Sequence, residues 1–233
     1  MKKYPLYFLI LTIYLLLNGC GDTAKIVVAG IVTYTFIPIT DEGLDYGASE
    51  ERPVRGAVVR IVDVAQKKII SQGNTDEQGR YSLQAEEDTT VFVRVRSELG
   101  EPDNPNTQVV DNTNEAAIYV LEFPVEVVKA PRLNVNINAT TTYDEGNNKL
   151  DSRAGAPFAI LDTIYRSQQK IKNVDQNVVF PFLKVNWSIN NSTSAGSLAE
   201  GDIGTSFYSE GELYILGAAD NDTDEYDAHV IAH

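Results

Sequence analysis

Cysteine and histidine are nearly absent: Cys20 is the only cysteine among 233 residues, and His229 and His233 are the only histidines. One cysteine cannot close an internal disulfide. With both imidazoles in the last five positions, serine and cysteine nucleophile schemes lack a base anywhere else in the chain. There is no P-loop, no Rossmann glycine pattern and no Gly-x-Ser-x-Gly elbow. Positive charge is also scarce, with 19 Lys and Arg against 33 Asp and Glu, a formal net charge of −14. Such acidity favours solubility and argues against nucleic acid or an anionic membrane surface as a partner. Long apolar runs are missing too. The one candidate, Tyr4 to Leu17, has fourteen residues, short of the about 20 that a spanning helix needs.

That run follows the basic Met1, Lys2 and Lys3, which gives it the layout of a secretory signal. Leu17, Asn18, Gly19 and Cys20 come next and resemble the bacterial lipobox, with Asn18 the less usual member. The resemblance implies cleavage before Cys20, lipidation of its thiol, and a lipid anchor in the bacterial cell envelope. Several acyl chains make such an anchor stable. Gly21, in place of an acidic residue, points to the outer rather than the inner membrane. Residues 1–19 are therefore expected to be a lipoprotein signal peptide. Without Lys2 and Lys3 the remainder carries −16, and the 43% hydrophobic content of the chain is enough for a packed core.

Residues 20–127 read as tether and β-sandwich. Lys25 to Phe36 is β-branched and aromatic without a helical period. Val91, Val93 and Val95 alternate with Phe92, Arg94 and Arg96, which puts the valines on one face of a strand. The spacing of strands and turns predicts an antiparallel sandwich. Gly79 can supply a positive φ to the turn that begins at Thr75. Gly30-x-Val32, Arg52-Pro53-Val54-x-Gly56-Ala57-x-Val59 and Thr75-Asp76-x-x-Gly79-x-Tyr81 together are similar to carboxypeptidase regulatory-like domains. The resemblance covers about residues 25–100 and implies a prealbumin-like sandwich serving as a non-catalytic adaptor.

Residues 128–152 are expected to be a linker or surface loop, although Leu133 to Asn138 alternates apolar residues with asparagine. The remainder, 153–233, reads as an incomplete α+β region in a mainly β chain. A helix is expected from Ser152 to Lys170, with Ser152 as cap and Phe158, Leu161, Ile164 and Tyr165 as its core-facing stripe. Strands follow, the last from Glu212 through Leu213, Tyr214 and Ile215 to Leu216. This last strand is expected to be the edge that pairs with a peptide.

The C-terminal segment has the signature of a helix start. Asp222 or Thr223 can cap it, Glu225 stands in capping-box register, and Asp224, Glu225 and Asp227 suit the positive end of the dipole. Asp220 to Asp224 begins like a calcium loop, but Glu225 and Ile231 occupy the positions of its glycine and its last glutamate, so that reading fails. His229 and His233 lie four apart, on one face of a helix, where two imidazoles can share a metal. Val230 stands where a metalloprotease helix carries its glutamate, so the pair is not itself His-Glu-x-x-His.

Asp224-Glu225-Tyr226-Asp227-x-x-Val230-Ile231-x-His233 nonetheless resembles the approach to the active-site helix in bacterial lipoproteins akin to zincin metallopeptidases. Ala154-x-Ala156-Pro157-Phe158-Ala159-Ile160-Leu161-Asp162 and Gly201-Asp202-Ile203-Gly204-Thr205-Ser206-Phe207-Tyr208 resemble other parts of the same family. This implies that His233 is the first zinc ligand of a motif whose glutamate and second histidine would follow. It also implies that the 233 residues are a fragment, inactive as they stand and without a cofactor, zinc belonging to a longer form. Two other readings stay open: an anchored sandwich protein that binds a peptide or polysaccharide without catalysis, and an envelope protein with a structural role.

Overall fold

The computed structural model of the chain describes residues 24–41, 43–127, 130–144, 149–219 and 223–233. Cys20 and the signal segment lie outside the described residues. In chain order the strands begin with β1 (Lys25–Phe36), the hairpin β2 (Ile39–Thr40) and β3 (Gly43–Leu44), β4 (Glu50–Pro53), β5 (Ala57–Asp63) and β6 (Ile69–Asn74). They continue with β7 (Arg80–Glu86), β8 (Thr89–Glu101), β9 (Asn104–Asp111), β10 (Ala117–Ile118) and β11 (Val120–Val127). After these come β12 (Arg132–Asn134), β13 (Ile137–Ala139) and the hairpin β14 (Thr141–Asp144) and β15 (Lys149–Arg153). A long helix, Ala156–Val174, precedes β16 (Leu183–Trp187), β17 (Phe207–Ser209) and β18 (Glu212–Ile215), and a terminal helix spans Ala228–Ala232. The chain is mainly β, with few helices.

Two sheets face each other across one core. In the smaller sheet β1 pairs antiparallel with β7 and β4 and parallel with β12 and β13. In the larger sheet β8 is central, paired with β5 and β11 along most of its length and with β9 from Glu98 to Glu101. Val91, Val93 and Val95 turn inward and are fully buried, opposite Val28, Val32 and Tyr34 of β1. Arg94 and Arg96 point outward and pair with Glu122 and Glu98. Each aliphatic side chain buried in this way stabilises the fold by about 1.5–3 kcal/mol. Gly79 has φ +72° in its turn, as the sequence predicts.

The segment expected as a linker, 128–152, is largely strand. Val135, Ile137, Ala139 and Leu150 are buried, while Asn134, Asn136 and Asn138 are exposed. An apolar period of two suffices to hold short strands where β1 offers an open edge. The larger sheet also continues past this segment: β9 pairs in parallel with β16, β16 in parallel with β18, and β18 antiparallel with β17. Strands from both sides of residues 128–152 thus share one ladder.

The long helix lies across this junction. It begins after Gly155 rather than at Ser152, which belongs to β15. There the Ser152 N–H donates to Thr142 Oγ1 and its hydroxyl donates to the Thr140 carbonyl, so the hairpin has claimed both groups. Phe158, Leu161 and Ile164 are buried as the stripe predicts, and Tyr165 is half-buried. Ala159 and Ile160 are buried too, because the first turns have neighbours on every side. Asp162 fixes the helix to the sandwich: it accepts from Arg55 Nη1 at 2.7 and 2.9 Å and from the Tyr34 hydroxyl at 3.1 Å. Burial pushes its carboxyl above the usual range, and Arg55 pulls against that.

Candidate functional site

The ends of β16 and β18 and the segment that leads to the histidine helix meet at one corner. Asn191, fully buried, organises that corner. Its carbonyl accepts from the Gly217 and Ala218 N–H groups at 2.9 and 2.8 Å. Its side-chain amide donates to the Ile215 and Asn186 carbonyls at 2.9 and 3.3 Å, and its Oδ1 accepts from Asn112 Nδ2 at 2.9 Å. The ends of β16 and β18 are thereby tied to one side chain with every group satisfied. Gly217 is required beside it, since a Cβ there would lie 2.1 Å from the Ser188 carbonyl oxygen. The Ser, Asn and Gly content of 190–201 predicts only a polar loop. Nothing in one sequence distinguishes Asn191 from the asparagine before it.

Four side chains then secure residues 224–227. The Ser206 hydroxyl donates to Asp224 and accepts from the Leu216 N–H at 2.8 Å. Glu225, with no exposed surface, forms an ion pair with Arg153, which also donates to the Gly217 carbonyl. The Arg153 guanidinium lies 5.2 Å from the centroid of the Trp187 ring. Burial drives the Glu225 carboxyl upward from its ordinary value, opposed by Arg153. Tyr226 donates to Thr141 Oγ1 at 2.8 Å and meets the Phe36 ring edge-on at 5.8 Å.

Asp227 caps the helix, its carboxylate accepting from the His229 and Val230 N–H groups at 2.8 and 3.2 Å. The helix therefore starts several residues later than the sequence suggests. Glu225 is not a capping-box residue, because Arg153 takes its charge into the interior; Asp222 lies outside the described residues. Of the three expected carboxylates only Asp227 stands at the helix N-terminus, as its cap, and the first turn itself carries no acidic residue.

His229 and His233 are both exposed, one turn apart, with the His233 N–H donating to the His229 carbonyl at 3.1 Å. Ile231, between them, is buried beside the long helix. Zinc takes three or four donors, and among the described residues no group of three His, Cys, Asp or Glu side chains converges on one point. The two imidazoles alone do not compose a zinc site, so no reaction step is derived through the metal.

The predicted substrate edge needs correction. Glu212 to Ile215 is an interior strand, hydrogen-bonded to β16 on one side and β17 on the other. The short strand Phe207–Ser209 forms the edge in its place, because the chain returns antiparallel along β18 before the turn to the terminal helix. Leu213, Ile215 and Leu216 are buried, while Glu212 and Tyr214 face the other side of the sheet. Below the edge runs an apolar groove of about 230 Å³, bounded by Ile164, Ile171, Phe180, Phe182, Tyr208 and Ile231.

No family model matches the sequence, and no curated protein matches it. Among solved structures the chain is similar to the 9R-lipoxygenase of Cyanothece PCC8801, at 10% identity, with a TM-score of 0.27 over 75% of this chain and 29% of that one. It is also similar to the shaft pilin SpaA of Lactobacillus rhamnosus GG, at 12% identity and a TM-score of 0.24, over 55% of this chain and 57% of the pilin. A mutant of that pilin gives a TM-score of 0.25 at 12% identity, over 56% of this chain and 59% of that one. The chain thus spans well under two thirds of each of these proteins. At such TM-scores these likenesses carry no functional information.

Proposed function

We propose that the chain is an exported, lipid-anchored protein of the bacterial cell envelope whose residues 153–233 form part of a zinc-peptidase-like module. In this reading the prealbumin-like sandwich, akin to carboxypeptidase regulatory domains, is the adaptor, and Cys20 carries the lipid. The observation that supports it is the direction of the last strands. β9, β16 and β18 run parallel, β17 returns antiparallel as a free edge, and β18 leads into the helix bearing His229 and His233 under the long helix. The zincin resemblance implies this order of backing helix, sheet and histidine helix, with the edge on the last strand in place of β17.

The residues present can orient a peptide but cannot hydrolyse it. An extended peptide can add to the β17 edge through main-chain hydrogen bonds, with Tyr208 and the groove below it receiving an apolar side chain. Among the described residues no third metal donor joins His229 and His233. The polypeptide with zinc added is therefore expected to leave casein intact; zinc-dependent hydrolysis abolished by His233→Ala would refute this. Reading the coding DNA beyond the His233 codon tests the family assignment. Glu-x-x-His directly downstream supports it, whereas a stop codon there overturns it in favour of a non-catalytic envelope protein that binds a ligand or has a structural role. Labelling cells with radioactive palmitate tests the anchor: the wild-type protein takes up label and Cys20→Ala does not.

A further inference from the structure

The side of the larger sheet opposite the long helix carries a separate cavity of about 220 Å³, lined by Asn112, Ala116, Lys184, Asn186, Leu198 and Tyr214 among others. It sits toward the carboxyl ends of the parallel strands β9, β16 and β18, between the turn after β9 and the loop around Leu198. Crevices at the carboxyl ends of parallel strands are where open α/β sheets take ligands. The walls are held firmly. Asn112 Nδ2 donates to Asn191 Oδ1 at 2.9 Å and to the Leu198 carbonyl at 2.6 Å. Glu115 and Ala116 both adopt the left-handed conformation, at φ +51° and +55°, which places Ala116 on the cavity wall. These are the central residues of the tight turn closed by the Ala117 N–H on the Asn114 carbonyl at 2.9 Å, and a hairpin turn of this kind needs a positive φ at both.

The chemistry of the lining narrows the ligand. Lys184 Nζ contacts both Glu212 carboxylate oxygens, at 3.2 and 3.3 Å. Asn186 Nδ2 and the Tyr214 hydroxyl donate to the same carboxylate at 2.9 and 3.0 Å. The one cation and the one anion cancel, so the cavity offers no net charge to an ionic ligand. What is left over is neutral and bifunctional. Asn112 Oδ1, on the cavity wall, is buried with no hydrogen-bond partner among the described residues, and the Asn186 amide beside it sends one of its two N–H groups to Glu212. The Tyr214 oxygen keeps lone pairs to accept with.

A peptide is poorly served here, because β9, β16 and β18 are each paired on both sides and present no open ladder. Hydroxyl groups, which donate and accept at once, match an amide, an ammonium and a phenol. Ala116, Leu198 and the Tyr214 ring supply apolar surface for a C–H face. The volume falls below the about 300–1,000 Å³ of drug-sized pockets, which limits the occupant to a single ring. We infer that this cavity binds one uncharged sugar residue, as the end or side branch of a glycan. It is distinct from the peptide edge and histidine helix and does not depend on the peptidase reading.

The test is an NMR titration of the full chain in detergent with D-glucose, D-galactose, D-mannose and N-acetyl-D-glucosamine. At least one sugar should bind saturably and shift the Asn186 side-chain amide. Ala199→Trp, on the exposed loop at the cavity mouth, should weaken that binding by about tenfold or more. Lys184→Met should weaken it as well by releasing Glu212 from its cation. Failure of all these sugars to saturate the site, or equal affinity in Ala199→Trp, overturns the proposal. So does saturable binding of an uncharged tripeptide there in their place.

Discussion

Replacing Glu225 with alanine should be the most damaging change near the histidine helix. The substitution leaves Arg153, 6% exposed, as a charge in the interior with no counterion. Removing one member of a buried pair costs about 3–5 kcal/mol, whereas an exposed pair is worth about 0–1 kcal/mol. For a chain of this size that corresponds to a loss of about 6–20 °C in Tm. Replacing both partners, with Arg153→Met and Glu225→Leu, removes the desolvation cost as well and should return stability to near wild type. Trp187 is the only tryptophan in the chain, and its ring lies 5.2 Å from the Arg153 guanidinium. Guanidinium chloride unfolding followed by tryptophan fluorescence therefore reads the site directly. A loss below about 1 kcal/mol in Glu225→Ala would place the pair in the surface class and refute the argument. A double variant as unstable as the single one would refute it equally.

Asp162→Ala should cost about 1–3 kcal/mol in thermal melts by leaving the buried Tyr34 hydroxyl without an acceptor, while Arg55 keeps Glu77, and Asp162→Asn should cost less, because an amide oxygen still accepts from Tyr34. Gly217→Ala should cost about 1–3 kcal/mol in the same melts, since its new methyl meets the Ser188 backbone and the corner must shift. Burial pushes the Glu212 carboxyl up, but hydrogen bonds from Asn186, Lys184 and Tyr214 outweigh it and hold the group below its ordinary value. A depressed carboxylate contributes its stability above the unfolded value and loses it as the pH falls through the folded one. Melting temperature should therefore fall on acidification through about pH 3–5, and Glu212→Gln should show a shallower fall. Identical slopes would exclude Glu212 from the acid transition.

Local pattern determined much of this protein. The alternation of Val91, Val93 and Val95 with arginine is enough to make a half-buried strand, and Phe158, Leu161 and Ile164 at helical spacing are enough to make the core stripe of a helix. Both are readable because neighbours in sequence share one backbone period, and a face of one polarity must be buried. The acidic balance and the isolated Cys20 are properties of composition and need no fold.

Partner choice across long separations belonged to the tertiary structure alone. Glu225 looks like a capping residue until Arg153, 72 positions away, draws it inside. Ser152 looks like a helix cap until Thr142 and Thr140 take its hydrogen bonds. β18 looks like an edge until β17 folds back along it. In each case the residue had two chemically acceptable uses, and the difference lay in which surface the packed sheets brought within reach. A periodicity cannot encode that, because hydrogen bonds and ion pairs are satisfied by position in space rather than by separation along the chain.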